Sequence, residues 1–115
     1  MSSCEKVLEE ETIVNSQEAR ISFTTLLCDT TDDPGCTGEL KPAMGATIVL
    51  YLTEDDRTNK TNEATTIYTD HEGKRTTTVD PAFYYIYTLH MGRESHSEEN
   101  AVNRTTSFHE VIILE

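Results

Sequence analysis

The sequence predicts an all-β domain, a single Ig-like antiparallel β-sandwich of about seven strands, and three observations carry that prediction. Nineteen threonines and no tryptophan in 115 residues favour strands, because β-branched side chains suit a pleated, half-exposed surface. Short alternating apolar and polar stretches recur between Gly, Pro, Asn and Asp turn signals. Helical periodicity is almost absent, and there is no internal repeat.

In chain order, the first stretch, residues 1–19, is acidic, with Val7, Leu8, Ile13 and Val14 as its sizeable apolar residues. It reads as a short helix, a tether or an added strand, and the sandwich is expected over residues 20–115. "RISFTTLLC" (Arg20 to Cys28) alternates Ile21, Phe23, Thr25 and Leu27 against Ser22, Thr24 and Leu26, as a first strand does. A loop with two glycines and two prolines follows. "GATIVLYLT" (Gly45 to Thr53) places Ala46, Ile48, Leu50 and Leu52 on one face, which is expected in the core. "EDDRTNKTNE" reads as a long polar loop. "ATTIYTD" then leads through "DHEG", a hairpin signal with glycine for the positive φ, into the polar edge strand "KRTTTVD".

After Pro81 the alternation fails: Phe83, Tyr84, Tyr85, Ile86 and Tyr87 run without a break. A strand with one wet face should alternate, so either both faces of this one are covered or one offers an aromatic stripe to a partner. "GRESHSEENAVNRTTS" reads as a soluble connection and "FHEVIILE" as the closing strand.

Size and charge limit the function. The length suits one domain with one core. Twenty-one acidic against nine basic residues give a formal charge of -12, which repels phosphate backbones and anionic headgroups, so nucleic acid is not an expected partner. No run reaches the ~20 apolar residues of a spanning helix, and no basic and apolar leader is present. "MSSC" at the start resembles the tail of a lipoprotein cleavage box, which would make Cys4 a lipidation candidate; otherwise it is an ordinary cysteine in a loose terminus. A membrane is expected only through such an anchor. The seven residues between Cys28 and Cys36, "DTTDDPG", hold a Pro-Gly turn signal that can bring two sulfurs within reach. The pair is then a disulfide suited to an oxidising compartment, or two free thiols flanking a loop.

Chemistry-bearing residues are sparse. His71, His90, His96 and His109 lack the helical spacing and cysteine partners of zinc sites. Glu54, Asp55 and Asp56 with Asp29, Asp32 and Asp33 could offer oxygens to calcium if the two loops converged, but neither has the spacing of a calcium loop. No other cofactor is expected. "RESHSEE" has the letters of a serine hydrolase without the strained turn that poises the nucleophile. "NKT" at Asn59 and "NRT" at Asn103 are sequons that matter only in a secreted eukaryotic protein.

The order of "TGELKPAMGATIVLYLT", a variable loop, "TTIYTDHEGKRTTTVDPAFYYIYTLHMG" and a hydrophobic last strand resembles the transthyretin-like (prealbumin-like) or carboxypeptidase-regulatory-like β-sandwiches, kin to Cna protein B-type repeats and common in surface lipoproteins of Bacteroidetes. The matching residues are Gly45-Ala46, Thr69-Asp70 with Gly73-Lys74, and Pro81 with Tyr84 and Ile86, in order over about Ile21 to Leu114. Ala82 stands where many members have glycine, and the turn before Gly45 is expanded around Cys36. The resemblance implies Tyr84 and Ile86 in the core, leaving Phe83, Tyr85 and Tyr87 on the opposite face as interface candidates. Val7, Leu8, Ile13 and Val14, or a neighbouring subunit, are candidates to cover them. Cna-type crosslinks need a core lysine on the first strand, and "RISFTTLL" has none, so no isopeptide bond is expected. The implied role is a non-enzymatic extracellular or outer-cell-surface domain in structural assembly or adhesion, a filament or surface-layer subunit, whose partner is itself or another surface protein. The alternatives are a transthyretin-type small-ligand carrier or a calcium-assisted binding module; the Tyr-Arg-Gly-Ser-like ending of transthyretin-type hydrolases is not matched by "VIILE".

Overall fold

A computed structural model describes residues 18–114. Eight strands and one short helix follow in order: β1 (Ala19–Cys28), β2 (Lys41–Pro42), β3 (Thr47–Tyr51), α1 (Glu54–Asn59), β4 (Thr65–Tyr68), β5 (Lys74–Val79), β6 (Ala82–His90), β7 (Arg93–Ala101) and β8 (Thr106–Leu114). They form an all-β sandwich of two four-stranded sheets. In sheet I, β1 is central: β8 runs parallel along one side, while β5 and then β2 pair antiparallel along the other. Sheet II has the antiparallel order β4-β3-β6-β7.

The core lies where the alternation was clearest. Ala19, Ile21 and Phe23 of β1 meet Ile48 and Leu50 of β3, Tyr84 and Ile86 of β6, and Ala101 of β7, all buried. The Tyr84 hydroxyl donates to the Asp80 carbonyl at 2.6 Å. Burial, and then the Asp80 charge, raise its pKa.

Four expectations are corrected. Leu52 is exposed, because β3 ends at Tyr51 and the chain bends toward the helix. The polar stretch after Thr53 is not simply a loop: Thr53 accepts from the Asp56 N–H as N-cap, three acids fill the first turn, and Lys60 closes α1 in the left-handed region at φ 57°. Within the supposed connection, "RESHSEENA" is a strand, β7, whose half-buried positions Ser95, Ser97 and Glu99 alternate with exposed ones. "DHEG" is not a hairpin turn, since β4 belongs to sheet II and β5 to sheet I. It carries the chain between layers, with the Asp70 carboxylate accepting from the Glu72 and Lys74 N–H groups. Gly73 (φ 75°) is needed there twice over, since a Cβ would stand 2.4 Å from the Thr25 carbonyl oxygen.

Candidate functional site

The uninterrupted aromatic run resolves into two faces. Tyr84 and Ile86 point inward; Phe83, Tyr85 and Tyr87 point outward from sheet II, with Val49 and Tyr51 of β3 beside them. Much of this outer face is covered by the chain itself. α1 lies over it, with the Arg57 guanidinium carbon 5.4 Å from the Tyr85 ring centre and the Lys60 ammonium 4.7 Å from that of Tyr87. Tyr87 is buried, Tyr85 is partly buried and packs edge-on against Phe83, and Phe83 alone of the three stays about half exposed, at 48%. Of the three outward aromatics, two are thus largely covered within the chain, and the stripe is only partly open. Its cover comes from a polar helix that hydrophobic patterning could not reveal. Burial, followed by nearby Glu63, raises the pKa of Tyr51; burial, followed by Glu94, raises that of Tyr87. Val7, Leu8, Ile13, Val14 and Cys4 lie outside the described residues.

Arg57 fixes the helix in place. It is 6% exposed, and its Nη1 donates to the Ser97 carbonyl at 2.9 Å and to the Glu98 carboxylate at 2.8 Å. This one side chain therefore ties α1 to β7 across β6.

The outer face of sheet I is a second surface, which the sequence reading missed. β1 presents Arg20, Ser22, Thr24 and Leu26; the Thr76 hydroxyl of β5 donates to Ser22 Oγ at 3.2 Å on the same face. On β8, Phe108 is 82% exposed, and Leu114 and Ile112 are exposed beside it. Val111 and Ile113, one residue out of phase, fill the core. With apolar residues in both phases, periodicity could not say which set is outside.

At the side of the sandwich, His109 of β8 bridges to β7: Nδ1 lies 2.9 Å from Glu99 Oε1 and Nε2 lies 2.9 Å from Ser97 Oγ. The order Ser, His, Glu is that of a hydrolase triad. Ser97 stands mid-strand in the β6–β7 ladder opposite Ile86, however, rather than on a strained turn, and it lines none of the clefts described. With Phe23 packed edge-on against the His109 ring at 5.5 Å, the group acts as a polar clasp between the layers.

Cys28 and Cys36 are disulfide-bonded, with sulfurs 2.01 Å apart. Within and just beyond the loop they close, the Asp33 carboxylate accepts from the Thr37 and Gly38 N–H groups, and Asp29 accepts from the Thr31 N–H. The Gly38 and then the Thr37 N–H hold the Asp33 carboxyl below its usual value. The Asp56 carboxylate accepts from the Thr61 hydroxyl and the Asn62 side-chain amide. Among the described residues no three acids, histidines or cysteines gather as metal ligands, so the two acidic segments do not form the joint site that the calcium reading needs. The clefts are small: one of about 280 Å³ lies at Glu18, Leu52, Asp80 and Tyr84, and another of about 210 Å³ lies at Leu27, Asp32 and Glu39.

No protein-family model and no curated protein matches the sequence. Solved structures do share the fold. The minor pilin GBS52 of Streptococcus agalactiae superposes with a TM-score of 0.58 at 11% identity over 86% of this chain and 45% of that one. The shaft pilin SpaA of Lactobacillus rhamnosus GG gives 0.55 at 14% over 84% and 49%. The Bacillus anthracis TIE protein gives 0.54 at 13% over 84% and 18%. The chain thus spans less than half the length of each. At these identities the likeness establishes the architecture alone: a β-sandwich of the kind found in Gram-positive pilins.

Proposed function

We propose that this chain is a non-enzymatic extracellular or cell-surface domain that serves structural assembly or adhesion, associating with its own copies or with another surface protein. The observation that carries this reading is the placement of large apolar side chains outside a core that is already complete. Phe83 stands on one outer face, and Phe108, Ile112 and Leu114 stand on the other. Such residues clustered on a small domain mark contact surfaces. The Cys28–Cys36 bond suits an oxidising compartment, and the pilin-like architecture is in keeping with a surface role. The finer kinship with transthyretin-like and carboxypeptidase-regulatory-like domains of surface lipoproteins, with Cys4 as lipid attachment point, belongs to the same proposal. Antibody labelling of intact producing cells is expected to detect the protein without lysis. Signal that appears only after lysis would overturn the surface assignment.

A further inference from the structure

The free edges of the two sheets are not alike. β7 carries Arg93, Glu94, His96, Glu98 and Glu99; β5 opens with Lys74 and Arg75; β4 has four residues. Charge and shortness are how sheet edges are kept from pairing with other chains. β8 has neither protection. It runs nine residues without proline or lysine, pairs through its backbone with β1 alone among the described strands, and carries a single carboxylate, Glu110, while the His109 side chain bonds Glu99 of β7. Its outward side chains include Phe108, Ile112 and Leu114.

We infer that β8 is the docking edge for a second copy of this chain, the two β8 strands pairing antiparallel about Val111 so that sheet I continues from one subunit into the other. This rests on the assembly reading above and names its surface. The strand's own pattern selects the occupant, because an antiparallel copy answers its apolar positions with apolar ones, and charge selects the place and the register. A chain of net charge -12 repels its own copies least where its acids are fewest, and the outer face of sheet I sets Arg20 and Lys74 against Glu110. Acids cluster instead on sheet II, at Glu54, Asp55 and Asp56 of α1 and Glu94, Glu98 and Glu99 of β7. Symmetry about Val111 places Phe108 opposite Leu114 and Glu110 opposite Ile112. A shift that centred Glu110 would set two carboxylates face to face, which is unfavourable. The contact is isologous and therefore closes as a dimer.

Sedimentation equilibrium of the full chain, with Cys4→Ser to prevent adventitious crosslinks, tests this. A monomer–dimer equilibrium is expected that tightens as salt screens the net charge. Phe108→Glu with Ile112→Glu, which sets a carboxylate opposite Glu110 and adds to the net charge, is expected to weaken it by about tenfold or more, and Phe108→Thr with Ile112→Thr to weaken it while keeping strand propensity; both should keep the far-ultraviolet circular dichroism of the parent. Mixing a Glu110→Cys chain with an Ile112→Cys chain is expected to give an oxidised heterodimer. A parent that stays monomeric to about 1 mM, variants that associate as the parent does, or failure of the mixed pair to crosslink would overturn the proposal. So would loss of association in Phe83→Thr, or in Ile13→Glu with Val14→Glu, because the occupant would then sit on sheet II or be the N-terminal segment. None of these outcomes bears on surface labelling, so the broader reading is judged separately.

Discussion

The Arg57 guanidinium of α1 lies 2.8 Å from the Glu98 carboxylate of β7 and donates to the backbone carbonyl of Ser97 next to it. A single buried cation thereby holds a six-residue helix that is too short to persist alone. Arg57→Ala is expected to cost about 1.5–3 kcal/mol in urea unfolding, the usual worth of hydrogen bonds to a charged group. Arg57→Lys should recover only part of that loss, because one ammonium cannot reproduce the planar fork.

The outward aromatics of β6 should separate sharply by position. Tyr87→Thr empties a buried site beneath α1 and is expected to destabilise by about 3 kcal/mol, a typical large-to-small core cost. Phe83→Thr, at a half-exposed site, should stay within about 0.5 kcal/mol. Thermal unfolding of the two variants side by side checks the difference.

Removing the polar clasp leaves its partners stranded. His109→Ala deprives the Glu99 carboxylate and the Ser97 hydroxyl of their bonds and removes the edge contact to Phe23. The expected loss is about 1–3 kcal/mol. Amide hydrogen exchange should show it first as faster opening of β7 and β8.

Acid should weaken the domain through two turn carboxylates. Asp33 is lowered by the Gly38 and then the Thr37 N–H, and Asp70 by the Lys74 and then the Glu72 N–H. Because the folded values lie below the unfolded ones, their stabilisation is fully present above the usual 3.8 and is lost as pH falls through the folded values. Asp33→Asn with Asp70→Asn is expected to flatten the stability curve below about pH 4, as read by denaturant midpoints across that range.

Strands whose inward positions are apolar were legible in the sequence: β1, β3 and β6 declare themselves through Ile21 and Phe23, Ile48 and Leu50, and Tyr84 and Ile86. β7 was hidden because its inward residues are Ser95, Ser97 and Glu99, acceptable there because His109 bonds two of them from another strand. α1 was hidden because its hold on the sheet comes from one arginine and two cation–ring contacts rather than from an apolar stripe. The candidate surfaces divide the same way. The aromatic run on β6 could be seen but not what covers it, and the exposed set on β8 could not be told from the buried one.

The parallel pairing of β1 with β8 has a mechanical consequence. Ala19 and Arg20 enter the sheet beside Thr106, and Leu114 leaves it beside Cys28, so the chain passes in at one end of the ladder and out at the other, roughly 30 Å away. Pulling on those two ends would load the nine paired positions from Arg20 and Thr106 to Cys28 and Leu114 in shear, all together, rather than unzipping them one after another. A domain wired in this way can transmit tension along its length while its hydrogen bonds share the load.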